Sequence, residues 1–298
     1  MQLAQDFTVS QSSLQDYVDC PRRFQLRHVQ RLAWPALTAE PPLDNERFMR
    51  QGALFHRLVQ QHLLGISADR LADMLSDEQL REWWQNYQQA HPDPQGGLPH
   101  GLAAETHAEG KRCLTEISLS TPLGKYRLVG KFDALVISNV EEPRRAKILE
   151  WKTSYSRPRP AELQKRIQTR VYPYLLVRAG SSLNGGEAFQ PEHIEMIYWF
   201  ARFPAQAGLF KYNSRQFNLD EEYLEGLLSE IEARGETDFP LAQDEKHCRY
   251  CVYRSLCDRG VRASPLEDEL ADQEGETSPV GERGEIEFSF EQIGEISF

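Results

Sequence analysis

The sequence predicts an α/β fold with helical additions, and three observations carry that expectation. Strand-like and helix-like stretches follow one another as helix, three strands, helix, strand, an order that builds a sheet covered by helices. At 298 residues the chain is long enough for a substantial core. Its 40% apolar and 27% charged residues supply that core without any run near the roughly 20 apolar residues of a spanning helix. The opening "MQLAQDFTVSQSS" has neither the basic nor the apolar region of a secretory signal. The expectation is a cytoplasmic protein with reduced thiols and no membrane partner.

Taken in order, residues 10–32 read as a helix capped by Ser10 or Ser12, with Leu14, Tyr17, Val18 and Phe24 at helical spacing. A loop, "LAWPALTAEPPLDN", leads to a strongly amphipathic helix at 46–64. A further helix at about 76–90 is ended by "HPDPQGGLPHG". Three strands follow at 113–121, 125–138 and 145–153; "TPLGK" turns the first into the second, and "SNVEEPRR" joins the second to the third. A helix at 160–179 ends at Gly180, a strand lies in "HIEMIYWFAR", and a last helix covers 219–234.

The net charge is −11, yet residues 265–298 alone carry −10, which leaves −1 for the rest. Basic residues cluster at Arg22, Arg23, Arg27 and Arg31, and again at Arg157, Arg159, Lys165, Arg166 and Arg170. A near-neutral body with basic clusters is compatible with a nucleic-acid partner. The acidic end, rich in Glu, Gly and Ser, with "GEIEFSF" echoed by "GEISF", reads as a disordered tail.

The second strand, "LVGKFDALVI", places Asp133 among apolar residues, and the third, "KILEWK", ends with Glu150 and Lys152 two residues apart and so on one face. If the strands pair, two carboxylates and an ammonium group converge at one sheet end. Such a set suits Mg²⁺ or Mn²⁺, which share phosphate oxygens with a substrate. The bland alternative pairs Asp133 and Glu150 with Lys131 and Lys152 as strand-end salt bridges. His56 in "GALFH" and Gln168 with Tyr172 in "QTRVY" are, taken singly, a helix-face histidine and an ordinary polar edge with an aromatic packing residue.

In order, however, "GALFH", "GKFDAL", "EWK" and "QTRVY" resemble the motifs of the PD-(D/E)XK nuclease superfamily, in particular its RecB-like branch. The resemblance spans about residues 8–262 and implies a restriction-endonuclease-like core, a central mixed sheet flanked by helices. It implies that His56, Asp133 and Glu150 bind a metal ion, with the Trp151 carbonyl a further ligand. Lys152 would be the catalytic lysine, and Gln168 and Tyr172 would support the site and the DNA backbone. Glu116 sits where relatives often carry an acid. Trp151 is bulkier than the usual residue, with the expectation that it narrows the site.

Four of the five cysteines form a second pattern. "CRYCVYRSLC" holds Cys248, Cys251 and Cys257, and Cys20 lies 228 residues upstream of the first of these. Four thiolates fit either a [4Fe–4S] cluster or tetrahedral zinc. The helix "SQSSLQDYVDCPRRFQLRHV" resembles the opening of the AddB-like and CRISPR-adaptation relatives, in which a [4Fe–4S] cluster staples the N-terminal helix to the C-terminal part. Cys113 reads as a buried structural thiol.

No G-x₄-G-K-[ST] motor motif occurs. The function implied is a Mg²⁺- or Mn²⁺-dependent deoxyribonuclease, of exonuclease type, on single-stranded or unwound DNA ends in repair or recombination. A separate helicase or other repair protein is the expected partner, with the acidic tail, which carries Phe288, Phe290 and Phe298, as either a docking motif or a solubilising segment. The competing readings are a CRISPR-adaptation nuclease and a non-catalytic Fe–S DNA-binding scaffold. Intact His56, Asp133, Glu150 and Lys152 count against the scaffold.

Overall fold

Ser10 begins the first helix for a local reason: its hydroxyl accepts the Ser13 N–H while the Ser13 hydroxyl bonds back to residue 10, a reciprocal cap. The computed structural model of the protein describes residues 7–32, 42–90, 110–139, 143–234, 238–248 and 251–260. The expected tail at 265–298 and the turn-rich segment beginning at 91 lie outside the described residues.

Strand β1 (Thr8–Ser10) leads directly into α1 (Gln11–Asp19). A break at Cys20 is followed by α2 (Pro21–Phe24), with Pro21 at the first helical position, and by a π-helical turn at Gln25–Val29. The amphipathic segment forms α3 (Pro42–Leu63); α4 (Ala68–Asp73) and α5 (Glu78–Gln89) pack beside it. The hairpin strands are β2 (Lys111–Leu123) and β3 (Tyr126–Ser138), and β4 (Ala146–Lys152) follows. Next come α6 (Pro160–Lys165), α7 (Ile167–Ala179), β5 (Ile194–Phe200), β6 (Gly208–Lys211) and α8 (Ser214–Ala233).

Among the described residues the strands make one six-stranded mixed sheet. One flank of β3 pairs antiparallel with β2 along its whole length. Its other flank is shared end to end: β1 runs parallel to Arg127–Val129, and β4 runs antiparallel to Ala134–Ile137. The strand therefore forks between residues 129 and 134. Beyond β4 the sheet continues with parallel β5 and antiparallel β6.

Helices cover both faces. Leu14, Leu135, Ile148, Tyr198, Val171, Leu175 and Leu224 pack on the side of α1, α7 and α8. Phe55, Val59, Trp83, Tyr87, Val136, Leu149, Trp151 and Trp199 pack on the side of α3 and α5. Each buried side chain of that size contributes about 1.5–3 kcal/mol. Alternation alone puts Leu128, Phe132, Ala134 and Val136 on one face, but the first two lie in one layer and the last two in the other. The strand has rotated at Asp133, within the fork.

The expected helix–strand–strand–strand–helix–strand order is present. The expected helix at 10–32 is two helices and a π-turn, because the extended Cys20 interrupts it. The helix at 160–179 is two, because Arg166 is extended. Strands β1 and β6, of three and four residues, are too short to show period-two alternation.

Candidate active site

Where β3 and β4 separate, each strand's carboxylate takes a backbone group of the other. Asp133 N–H donates to Glu150 Oε1 at 3.3 Å, and Trp151 N–H donates to Asp133 Oδ2 at 2.8 Å. The two acids thus satisfy amides that the ladder would otherwise bond, and the fork fixes them side by side. His56 reaches the same point from α3, with Nδ1 3.1 Å from Asp133 Oδ1. Burial by itself would raise the Asp133 pKa; His56, Lys152 and the Trp151 amide outweigh it and hold the carboxyl below its ordinary value.

Across the hairpin, Glu116 stands between Thr115 and Ile117, which pair with Ala134 and Phe132, so it faces Asp133. Its φ of +53° lies in the left-handed region, which costs a non-glycine residue about 1–2 kcal/mol. Its carboxylate Oε2 is 2.5 Å from Lys131 Nζ. Among the described residues, His56, Glu116 and Asp133 form a group whose ligand atoms all lie within 4.8 Å of one another. Two carboxylates and an imidazole fit Mg²⁺ or Mn²⁺, the imidazole suiting Mn²⁺ the better. Glu150 is buried beside this group, with one oxygen on the Asp133 amide and the other on Gln168.

Glu150 and Lys152 project to the α7 side of the sheet, where Gln168 joins them. Gln168 Nε2 donates to Glu150 Oε2 at 2.7 Å, and Lys152 Nζ donates to Gln168 Oε1 at 2.7 Å. An ionised carboxylate only accepts and an ammonium only donates, so the two charges set which way the amide faces. Tyr172, one turn on, donates from its hydroxyl to the Lys131 carbonyl at 2.8 Å and ties α7 to β3. The two elements touch closely: a Cβ on Gly130 would lie 2.6 Å from Leu175 Cδ1 and 3.2 Å from Tyr172 Cε1.

Residues far apart in sequence aim α7. Gln15 of α1 accepts the N–H of Ile167, the first residue of α7, at 3.1 Å and caps it from another helix. Arg170 pairs at 2.7 Å with Asp220, which is buried on α8 and also accepts from Gln216 and Tyr212. No linear motif marks Gln15 or Asp220; only the fold brings them to α7.

The model of the PD-(D/E)XK nuclease superfamily matches residues 8–258. The chain belongs to that superfamily. A crystal structure from Eubacterium rectale, of a protein described provisionally as an exonuclease, is similar over 78% of this chain and 85% of that one, at 10% identity and a TM-score of 0.44. No curated protein matches the chain. PD-(D/E)XK proteins are hydrolytic nucleases that use divalent metals, and the group at His56, Glu116 and Asp133 is a possible site for one.

Within this PD-(D/E)XK chain one expectation needs correction. The Trp151 ring does not narrow the site: strand alternation turns it to the opposite face, where it is 2% exposed and packs edge-on to Tyr87 and Trp199. Some members of the basic clusters are paired with acids of the protein itself. Arg23 and Arg27 bind Asp16, Arg159 binds Glu162, and Arg170 binds Asp220.

The two ends of the matched region meet. Phe24 stacks on Phe239, Arg22 N–H donates to the Pro240 carbonyl, and the Tyr253 hydroxyl donates to the Leu32 carbonyl at 3.0 Å. Cys20 thereby comes within electrostatic range of Cys248, Cys251 and Cys257. Burial first, and Cys20 with it, holds all three thiols above their ordinary pKa, that of Cys251 at about 11. Four thiols are in kind a soft donor set such as iron–sulfur or zinc takes. Among the described residues, however, the group whose ligand atoms lie close enough for one metal ion is His56, Glu116 and Asp133, not the cysteines. Cys113, in β2, is partly buried, and burial pushes its thiol to about 11. No described helix is long and apolar enough to cross a membrane.

Proposed function

We propose that the protein is a Mg²⁺- or Mn²⁺-dependent deoxyribonuclease of the RecB-like, AddB-like branch, working as an exonuclease on single-stranded or unwound DNA ends in repair or recombination. The observation that carries this reading is the Gln168 bridge, which holds Lys152 and Glu150 together beside the His56–Asp133 pair. His56, Glu116, Asp133 and Glu150 would hold the metal. When bound, it would polarise the phosphodiester and lower the pKa of an attacking water.

The residues of this chain do the rest. Lys152, oriented by Gln168, meets the negative charge that develops on the phosphoryl oxygens, where a fixed cation counts most in the transition state. Glu150 keeps Gln168 in place, and Tyr172 keeps α7 against β3, so that the ammonium stays aimed at the fork. Cys20, Cys248, Cys251 and Cys257 are assigned a structural [4Fe–4S] cluster, with zinc the alternative. The protein would act in the cytoplasm, on DNA opened by a separate helicase or other repair protein, with the acidic tail either its docking segment or a solubilising one.

The test is anaerobic digestion of end-labelled single- and double-stranded DNA by the full-length protein with Mg²⁺ or Mn²⁺, beside Lys152→Ala. Cleavage that needs metal and falls about 10²-fold or more in the variant is expected. Equal cleavage by both proteins would overturn the assignment of the site. The same preparation reports on the cysteines: an iron–sulfur cluster colours the protein, whereas d¹⁰ zinc leaves it colourless.

A further inference from the structure

One cation near the catalytic strand end makes no ion pair among the described residues. Arg202 follows β5 by two residues; Phe200 pairs with Lys152 in the sheet, and Ala201 N–H donates to the Lys152 carbonyl at 2.8 Å. The segments leaving β4 and β5 therefore emerge together, at the carboxyl ends of two parallel strands, where open α/β sheets place ligands. Arg157 joins them by donating from Nε to the Gln206 carbonyl at 2.7 Å.

The Arg202 guanidinium is partly buried between aromatic walls. Its Cζ lies 4.0 Å from the centre of the Tyr155 ring and 5.2 Å from that of Trp83. Tyr155 is itself stacked on Phe48 of α3, centroids 4.6 Å apart. Arg202 Nε is buried without a hydrogen-bond acceptor, and no carboxylate lies within ion-pair distance of the group among the described residues. Arg170 also has an unbonded Nε, but its Nη1 reaches Asp220. Burial pulls the Arg202 pKa below the ordinary guanidinium value, against weaker effects of Tyr155 and Glu82. A partly buried charge held in one geometry and without an ion pair among the described residues is costly to the fold. The aromatic walls have already fixed its orientation, so little freedom remains to be lost when an anion binds.

We infer that Arg202 is a binding residue for the nucleic-acid backbone, its guanidinium taking a phosphodiester oxygen of a linkage neighbouring the one that is cut. The inference rests on the nuclease reading above. Tyr155 and Trp83 are positioning residues here, holding the plane of the guanidinium at the exit of β4 and β5.

The test uses full-length protein prepared anaerobically, with Ca²⁺ in place of Mg²⁺, and a labelled single-stranded oligodeoxynucleotide. Neutral methylphosphonate linkages are placed one at a time along the strand. In the wild type, one neutral linkage close to the cut site is expected to weaken binding about tenfold, as loss of a charge-assisted hydrogen bond does. In Arg202→Met, which keeps the packing against the rings, binding of the unmodified strand falls by the same factor. The penalty at that linkage then disappears, and the dependence of log affinity on log salt loses about one unit of slope. The variant's melting temperature is expected to match or exceed the wild type's, because an unpaired charge has left a partly buried site. An Arg202→Met protein that shows the wild-type linkage profile overturns the inference, and so does one that loses stability while keeping that profile. Cleavage by the wild type in Mg²⁺ would leave the nuclease reading standing in either case. A wild type that neither binds nor cuts the strand would overturn both.

Discussion

Glu116 shows how much function can be stored in one backbone angle. A glutamate at φ +53° inside a long strand is costly, and the distortion sits directly opposite Asp133. The layer exchange along β2 and β3 happens at this pair, so the strain is what turns both acids toward His56. Replacing Glu116 by glycine removes the left-handed cost along with the carboxylate and the Lys131 ion pair. Thermal unfolding should find Glu116→Gly at least as stable as the wild type. Titrated with Mn²⁺, the variant should need about tenfold or more metal for half-maximal cleavage. A clear loss of stability would mean that the left-handed angle is not strained. The six residues His56, Asp133, Glu150, Lys152, Gln168 and Tyr172 were legible in the sequence because each lies in a short ordered motif. The angle at Glu116 was not, since nothing in "CLTEISL" marks a left-handed residue.

At the scale of elements, α7 matters most, because Gln168 and Tyr172 are only as well placed as the helix is. Its own N-cap residue, Arg166, makes no side-chain cap bond, and the acceptor for Ile167 N–H comes from Gln15 of α1. Gln15→Leu should therefore cost about 1 kcal/mol, the usual value of a lost cap. It should also lower cleavage through a misplaced Gln168. Gln15→Glu keeps an acceptor and adds a negative charge at a helix N-terminus but loses the Nε2 donor to Asp19, so it should lose some stability while retaining more activity than Gln15→Leu. Denaturant unfolding and single-turnover cleavage of the two variants check this, and equal behaviour would remove Gln15 from the positioning of α7. Helices and strands with strong periodicity were legible; the breaks at Cys20 and Arg166 and the cap from α1 were not, because they are contacts across elements.

For the whole molecule, the deciding feature is that the N-terminal helices and the C-terminal cysteine segment close on each other. Asp16 organises the N-terminal side of that seam: it is 6% exposed and receives Arg23 at 2.7 Å, His28 at 2.8 Å and Arg27 at 3.2 Å. Burial alone would raise its pKa; His28, Arg23 and Arg27 outweigh it and hold the carboxyl below the ordinary value. A carboxyl whose pKa is lower folded than unfolded stabilises the fold above the unfolded value, about pH 4, and loses that contribution as pH falls toward the folded value. Asp16→Asn should be less stable than the wild type at neutral pH by about 3 kcal/mol or more, as when a buried pair loses one partner. The gap should narrow below about pH 4. Melting temperatures of both proteins from neutral to acid pH test this, and a gap independent of pH would show that Asp16 acts by packing alone.

The sequence by itself determined the order of elements, the apolar faces that make two core layers, and the linear motifs that name most of the site. Those properties depend on residues close in the chain, whose spacing is fixed by helical and strand periods. Only the tertiary structure decided that Glu116 joins His56 and Asp133, that the Trp151 ring turns away, that Arg23, Arg27 and Arg170 meet buried acids, and that Arg202 makes no ion pair among the described residues. Each of these depends on which side chains meet across a fork, a layer or a seam, and on how burial weighs a charge that finds a partner against one that does not.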